Sequence, residues 1–438
     1  MSERRGTTFV YERVEVDPRA GTITSSYSLD GRRFSEEVQL PPELDWSSPR
    51  LAAAARLVFL LSGVSYYKTA APRTIDLGDT PVSPEDVAFL REFYLEGLGE
   101  YSYVNQLPLD DLRIVGGAPA APPAPVSPGP ERALIPFGGG IDSVVVVEET
   151  RRRVPDSSLF VVGRYDPLEA TAAVTGLPVV RASRRIDRQV LASAENGFLN
   201  GHVPVTGILS AIAVTAAVLD GRTSVVMSNE WSASSPTIEV DGRGINHQYS
   251  KSERFEAGFR GMLERAVPGF RFFSALRPYS ELWVAERFAA LPQYHRVFRS
   301  CNRAFHVDPA RRAAGWCGEC DKCAFVDLIL APFVGASDLR DIFGGREPLE
   351  RPDLIDRFRG LLGDTAVTKP FECVGDAGES RAALLLAADR PDRAGNELLS
   401  RLRAEVIDRG DVPSVDSLMH PLGSHFIEAP YAADDLLV

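Results

Sequence analysis

The chain has no run of about 18 or more consecutive apolar residues, the length a helix needs to cross a bilayer. Its first stretch, Met1 to Val10, carries Arg4 and Arg5 but no apolar core. Neither a secretory signal nor a membrane span is therefore expected, and the protein is expected in the cytosol without a membrane partner. Basic charge is also short: 48 Lys and Arg against 60 Asp and Glu leave a net charge of -12. Affinity for nucleic acid comes largely from neutralising phosphates, so no nucleic-acid partner is expected. A small anion in a locally basic pocket remains open. Cysteine is scarce, five in 438 residues, and four of the five are bunched late in the chain. An odd, clustered set is no disulfide framework and points instead to a metal or to thiol chemistry. Lysine is missing after the glycines that begin at Gly138, which excludes a Walker loop.

What remains is ordinary for a globular protein, 44% hydrophobic and 25% charged residues, at a length that suggests two or three domains. Gly116 to Pro130, rich in Ala, Pro and Gly, reads as a semi-rigid linker. It divides an α+β N-terminal domain, residues 1–115, from a second domain over 131–340 and a mostly helical region over 341–438. The first domain opens with alternating segments, Thr8 to Val16, Thr22 to Ser28 and Arg33 to Leu40, turning at Gly21 and Gly31. Helices are expected at Pro49 to Ser62 and Ser83 to Leu98. No catalytic constellation is visible in this domain.

Beyond the linker, short apolar runs alternate with helical patterns. Strands are expected at Ala133 to Phe137, Leu159 to Gly163, Leu177 to Arg181 and Ser224 to Ser228, and helices at Ile141 to Arg152 and Thr206 to Leu219. That alternation predicts an α/β fold with a parallel sheet covered on both faces. In the tail, Arg381 to Asp389 and Asn396 to Asp408 are the strongest helical segments.

Gly138-Gly139-Gly140-Ile141-Asp142-Ser143 lies between an expected strand and an expected helix. Glycines let a backbone turn sharply and bring its N–H groups to an anion, and the helix adds free N–H groups and the positive end of its dipole. Ser143 adds a hydroxyl, and Asp142 is placed to position magnesium. Arg164, Tyr165 and Asp166 follow the next strand, at the edge where open parallel sheets bind ligands. Asn229 and Glu230 end another expected strand. Gly244 to Ser252 gathers amide, imidazole, phenol and ammonium groups, with His247 the natural general base and Lys251 close by.

Cys317, Cys320 and Cys323, with Cys301 sixteen positions before the first, have the spacing of a tetrahedral zinc shell. A redox pair or an iron–sulfur cluster are the alternatives. Cys373, between Lys369 and Gly375, reads as a buried cysteine or as a reactive thiol. His295 and His306 are expected to be structural. Arg181, Arg184, Arg185 and Arg188 form either a solvated face or an anion contact.

The glycine loop resembles the Ser-Gly-Gly-x-Asp-Ser loop of the N-type ATP pyrophosphatases, with Gly138 in place of the first serine. That resemblance implies a PP-loop (adenine nucleotide alpha hydrolase-like) domain that splits ATP into AMP and pyrophosphate. The C…CG-x-C-x-x-C pattern is similar to the zinc site of the 7-cyano-7-deazaguanine synthases in that superfamily. Taken with Asn229-Glu230, Asn246 to Ser252, Cys301-Asn302-Arg303 and Lys369 to Gly375, the whole chain resembles the MurL family of UDP-N-acetylmuramoyl-L-alanyl-L-glutamate epimerases. This implies ATP-dependent inversion of the terminal L-Glu of UDP-MurNAc-L-Ala-L-Glu for peptidoglycan synthesis. Gly138, Gly139, Gly140 and Ser143 would hold pyrophosphate and Asp142 Mg²⁺. Arg164, Tyr165, Asn229 and Glu230 would line the nucleotide site, and the cysteines would hold structural Zn²⁺. His247, Lys251 and Cys373 become the acid–base candidates, and Arg303 a carboxylate contact. The rival readings are a deazapurine- or tRNA-modifying enzyme and a non-catalytic nucleotide-binding regulator.

Overall fold

The computed structural model describes all residues except 1–4, 121–122, 124–128, 241, 306–308, 365–370, 373 and 433–438. The strands are β1 (Thr8–Asp17), β2 (Thr22–Leu29), β3 (Arg32–Gln39), β4 (Thr74–Asp76), β5 (Arg113–Val115), β6 (Ala133–Pro136), β7 (Ser157–Val162), β8 (Val179–Arg185), β9 (Ser224–Met227), β10 (Ile238–Val240), β11 (Arg243–Ile245) and β12 (Arg271–Ser274). Ten of them form one mixed, largely parallel sheet in the order β12-β9-β6-β7-β8-β3-β2-β1-β4-β5, and β10 and β11 form a separate hairpin.

The parallel half, β12-β9-β6-β7-β8, is built from short apolar strands, and β6, β7 and β9 are buried along most of their length. Such runs need cover on both faces. On one face, helix Val205–Leu219 is buried over most of its residues, with helix Leu51–Ser62 packed on it. Helix Ile141–Arg153 lies in the core on the other side, with helices Glu281–Ala289 and Asp321–Leu330.

The antiparallel half begins where β3 joins β8, pairing Glu37 with Arg185 and Val38 with Arg184. A buried ion pair reinforces this seam, since the Arg184 guanidinium donates to both oxygens of Glu36 at 2.8 Å. Two of the four arginines in the basic run, Arg184 and Arg185, are therefore committed to acids of β3. One sheet, and one hydrophobic cluster beneath it, cross the Pro/Ala-rich segment. At the start of that segment Ala118 bridges to Pro81.

Turns fall at Gly21 and Gly31, whose φ values of +68° and +84° an L side chain rarely adopts. Helix Pro84–Gly97 starts in a capping box between Ser83 and Asp86. The carboxyl-terminal region is helical, and helix Ala377–Ala388 packs on Asp321–Leu330 and Glu397–Arg409. No helix among the described residues is long and apolar enough to cross a membrane.

Candidate functional site

Connections from β6 run to β7 and β8 on one side of the sheet, while β9 and β12 lie on the other. Open α/β sheets bind ligands at such a reversal of strand order, outside the carboxyl ends of the strands, here β6 and β9. The glycine turn leaves β6 at that edge, and Asn229 and Glu230 leave β9 beside it. Gly139 has φ +75°, a conformation suited to glycine. At Gly138 a Cβ would meet nothing within 4 Å, so the turn has open space in front of it. Helix Ile141–Arg153 follows with Asp142 in its first turn and Arg151 to Arg153 in its last, as the helix dipole favours. Ser143 is buried and donates to the Gly140 carbonyl at 3.0 Å.

Acidic groups gather near this edge, Glu281 feeling the charges of Asp142, Glu230 and Glu379. Glu281 starts helix Glu281–Ala289, and burial, then the charges of Asp142 and Glu230, push its carboxyl well above the usual range. Glu379, on helix Ala377–Ala388, accepts from the Glu281 N–H at 2.7 Å. Burial, with Asp376 adding to it, pushes Glu379 up to about 8. Glu281 Oε2 and Glu379 Oε1 are both buried without a hydrogen-bond partner.

The cysteines lie directly behind the turn. The Arg299 N–H donates to the Gly139 carbonyl at 3.2 Å, and a Cβ at Gly140 would lie 2.6 Å from Ser300 Oγ. Cys301 comes next. Cys317, Cys320 and Cys323 close on it, with sulfur–sulfur distances of 3.6 Å (Cys317 to Cys323) and 3.4 Å (Cys320 to Cys323). Tetrahedral zinc with bonds of about 2.3 Å keeps sulfurs roughly 3.8 Å apart, so four free thiols at this spacing fit a structural metal such as zinc. Cys317 and Cys320 N–H groups point at sulfurs at 3.4 Å, and Gly318 takes the knuckle with φ +68°.

Other expected residues fall in several places. Tyr165 begins helix Asp166–Thr175 and lines a cavity of about 580 Å³ with Arg299 and Arg312, the latter stacked on its ring. Arg303 is exposed and pairs with Glu319 at 3.0 Å. Asn229 is buried, its N–H donating to Ser274 Oγ at 2.7 Å. Lys251 Nζ donates to Gln248 at 3.2 Å. His247 is bonded to Glu100 and faces His202, with ring centroids 4.2 Å apart. Buried Arg277 ties the loops together, donating to the carbonyls of Glu230 and Lys251 and to the Glu256 carboxylate. Cys373 and Lys369 lie outside the described residues, as does His306. Their neighbour Phe371 packs 6.2 Å from the His247 ring, and a Cβ on Gly375 would meet Glu281 at 3.1 Å.

The residues missed from sequence were Glu100, His202, Glu281, Glu379 and Ser300. His202 offered a weak signal as one of only six histidines, whereas the three glutamates are among 60 acidic residues and offered none.

A family model described as the MurL N-terminal domain matches residues 1–275, and one described as the MurL C-terminal domain matches 297–416. The chain is 39% identical over 442 residues to the UDP-N-acetyl-alpha-D-muramoyl-L-alanyl-L-glutamate epimerase of Salinispora tropica, covering 98% of this chain and 95% of that one. It is 37% identical to the enzyme of the same name from Xanthomonas oryzae pv. oryzae over 432 residues, covering 96% and 95%. Identity to the Micromonospora relative of that name is 37% over 445 residues, covering 98% of both. No solved structure matches the chain.

Proposed function

The chain belongs to the MurL family, and from that membership we propose that it inverts the terminal L-Glu of UDP-MurNAc-L-Ala-L-Glu to D-Glu for peptidoglycan synthesis. Near full-length similarity to three epimerases of that name supports the substrate. The open glycine turn at the strand-order reversal supports ATP as the second substrate and a PP-loop fold for the parallel half of the sheet.

A free carboxylate holds its α-proton tightly, because the carbanion would form beside a full negative charge. Adenylation removes that charge. A glutamate carboxylate oxygen bonds to the α-phosphorus of ATP as the bond to pyrophosphate breaks. Gly138, Gly139, Gly140 and Ser143 hold the departing pyrophosphate. Asp142, with Glu230 and Glu281 near it, would hold Mg²⁺, which would supply charge to neutralise the phosphates. Arg164, Tyr165 and Asn229 would line the nucleotide site. A base drawn from His247, Lys251 and Cys373 takes the α-proton, and a proton returns to the opposite face. Water then cleaves the mixed anhydride, releasing AMP. Cys301, Cys317, Cys320 and Cys323 hold structural Zn²⁺ behind the turn, and Arg303 meets a substrate carboxylate on exchanging its Glu319 partner.

The test is AMP and pyrophosphate release from ATP and Mg²⁺ with UDP-MurNAc-L-Ala-L-Glu in deuterated water. Release that requires this substrate, with deuterium entering the glutamate α-position, is the expected result. Release without deuterium uptake would move the reaction to another modification. No release with any acidic substrate would leave a nucleotide-binding regulator.

A further inference from the structure

A second group of side chains meets metal-ligand spacing, away from the glycine turn and the cysteines. Glu100 lies on helix Gly99–Val104, His202 precedes helix Val205–Leu219, and His247 follows β11. Each offers one ligand atom, and the three atoms lie within 4.8 Å of one another. Glu100 Oε2 is their common point: His247 Nδ1 is hydrogen-bonded to it, and His202 Nδ1 stands 4.0 Å away. All three side chains are partly buried, between 13% and 22% exposed, so the group is enclosed yet reachable.

We propose that Glu100, His202 and His247 bind one divalent transition-metal ion of the zinc class. Imidazole nitrogens suit borderline cations, whereas magnesium and calcium take oxygen ligands. Two histidines and one carboxylate also leave a coordination position open. Bonds of about 2.0–2.2 Å place tetrahedral ligand atoms roughly 3.4 Å apart. The His202–Glu100 gap of 4.0 Å needs to close by a fraction of an ångström. His247 and Glu100, now in hydrogen-bond contact, part by about an ångström to admit the cation in place of their shared proton. A Glu–His hydrogen bond alone accounts for two members of the group and leaves unexplained the His202 nitrogen standing near the same oxygen.

Lys68 and Lys251 both act on His202 as positive neighbours. With a dication among them the pocket is strongly positive, so the open position suits an anionic ligand such as a carboxylate. A metal-bound His247 is no longer a base. Under the epimerase reading the acid–base set then narrows to Lys251 and Cys373, but metal binding itself does not rest on that reading.

Full-length protein, stripped with chelator, re-equilibrated with Zn²⁺ and desalted, is expected to hold two zinc equivalents by elemental mass spectrometry. Cys317→Ser is expected to lose one, and His202→Ala with His247→Ala the other. Cobalt bound to the Cys317→Ser protein is expected to show visible d–d bands without sulfur-to-metal charge transfer. Glu100→Gln preserves side-chain shape and covers the case of a double variant that does not fold. It should weaken the second equivalent roughly tenfold or more. A protein whose only zinc is lost with Cys317→Ser, and whose zinc content ignores Glu100→Gln, overturns the proposal and leaves a Glu–His acid–base pair.

Discussion

The Arg299 backbone N–H donates to the Gly139 carbonyl at 3.2 Å, which fastens the four-cysteine region to the glycine turn. Cys301 lies two residues beyond Arg299, so a metal in the cysteine cluster would fix the back of the turn. Chelation, or Cys317→Ser, is expected to lower thermal stability and to weaken ATP binding by tenfold or more. Calorimetric titration with ATP checks this. Unchanged ATP affinity in metal-free protein would show that the cluster does not brace the turn.

The glycines of the turn are not equivalent. A Cβ at Gly138 meets open space, while one at Gly140 meets Ser300 Oγ at 2.6 Å. Gly138→Ser is expected to leave stability within about 0.5 kcal/mol and to preserve pyrophosphate release. Gly140→Ala must displace Ser300, and is expected to cost about 1–3 kcal/mol and most of the activity. Equal effects at the two positions in denaturant melts would contradict this geometry.

Glu379 makes stability depend on pH. Its folded carboxyl titrates near 8 because burial, then Asp376, favours the neutral form, whereas an unfolded glutamate titrates at its ordinary 4.5. Between those values the folded state holds the extra proton, so this group's contribution falls as pH rises from 4.5 towards 8. Urea midpoints across that window should decline less for Glu379→Gln than for the wild type. Identical slopes would place the titration elsewhere.

Arg277 and Glu256 form a buried ion pair, 2.9 Å apart, with both side chains almost fully enclosed. Arg277→Met strands the Glu256 charge and is expected to cost about 3–5 kcal/mol. Adding Glu256→Leu should recover much of that stability. It should not recover epimerisation, because the Arg277 links to the Glu230 and Lys251 carbonyls stay broken. Unfolding curves and turnover, measured on both variants, separate the two effects.

Much of this protein is local and therefore legible in its sequence. The strand runs, the turns at Gly21 and Gly31, the helix after Gly140 and the cysteine spacing each depend on neighbours a few residues apart. The β4 and β5 strands, only three residues each, lacked enough length to show a period. Long-range pairing decided the rest. Nothing near Glu37 or Arg185 announces that β3 will join β8 and carry one sheet across the Pro/Ala-rich segment. Nor does anything near Glu100 announce His202 or His247, about 100 and 147 positions away, or near Asp142 announce Glu281 and Glu379. Local chemistry sets which groups a segment can offer. Only the packed sheet and helices set which groups meet, because burial and charge act through space rather than along the chain.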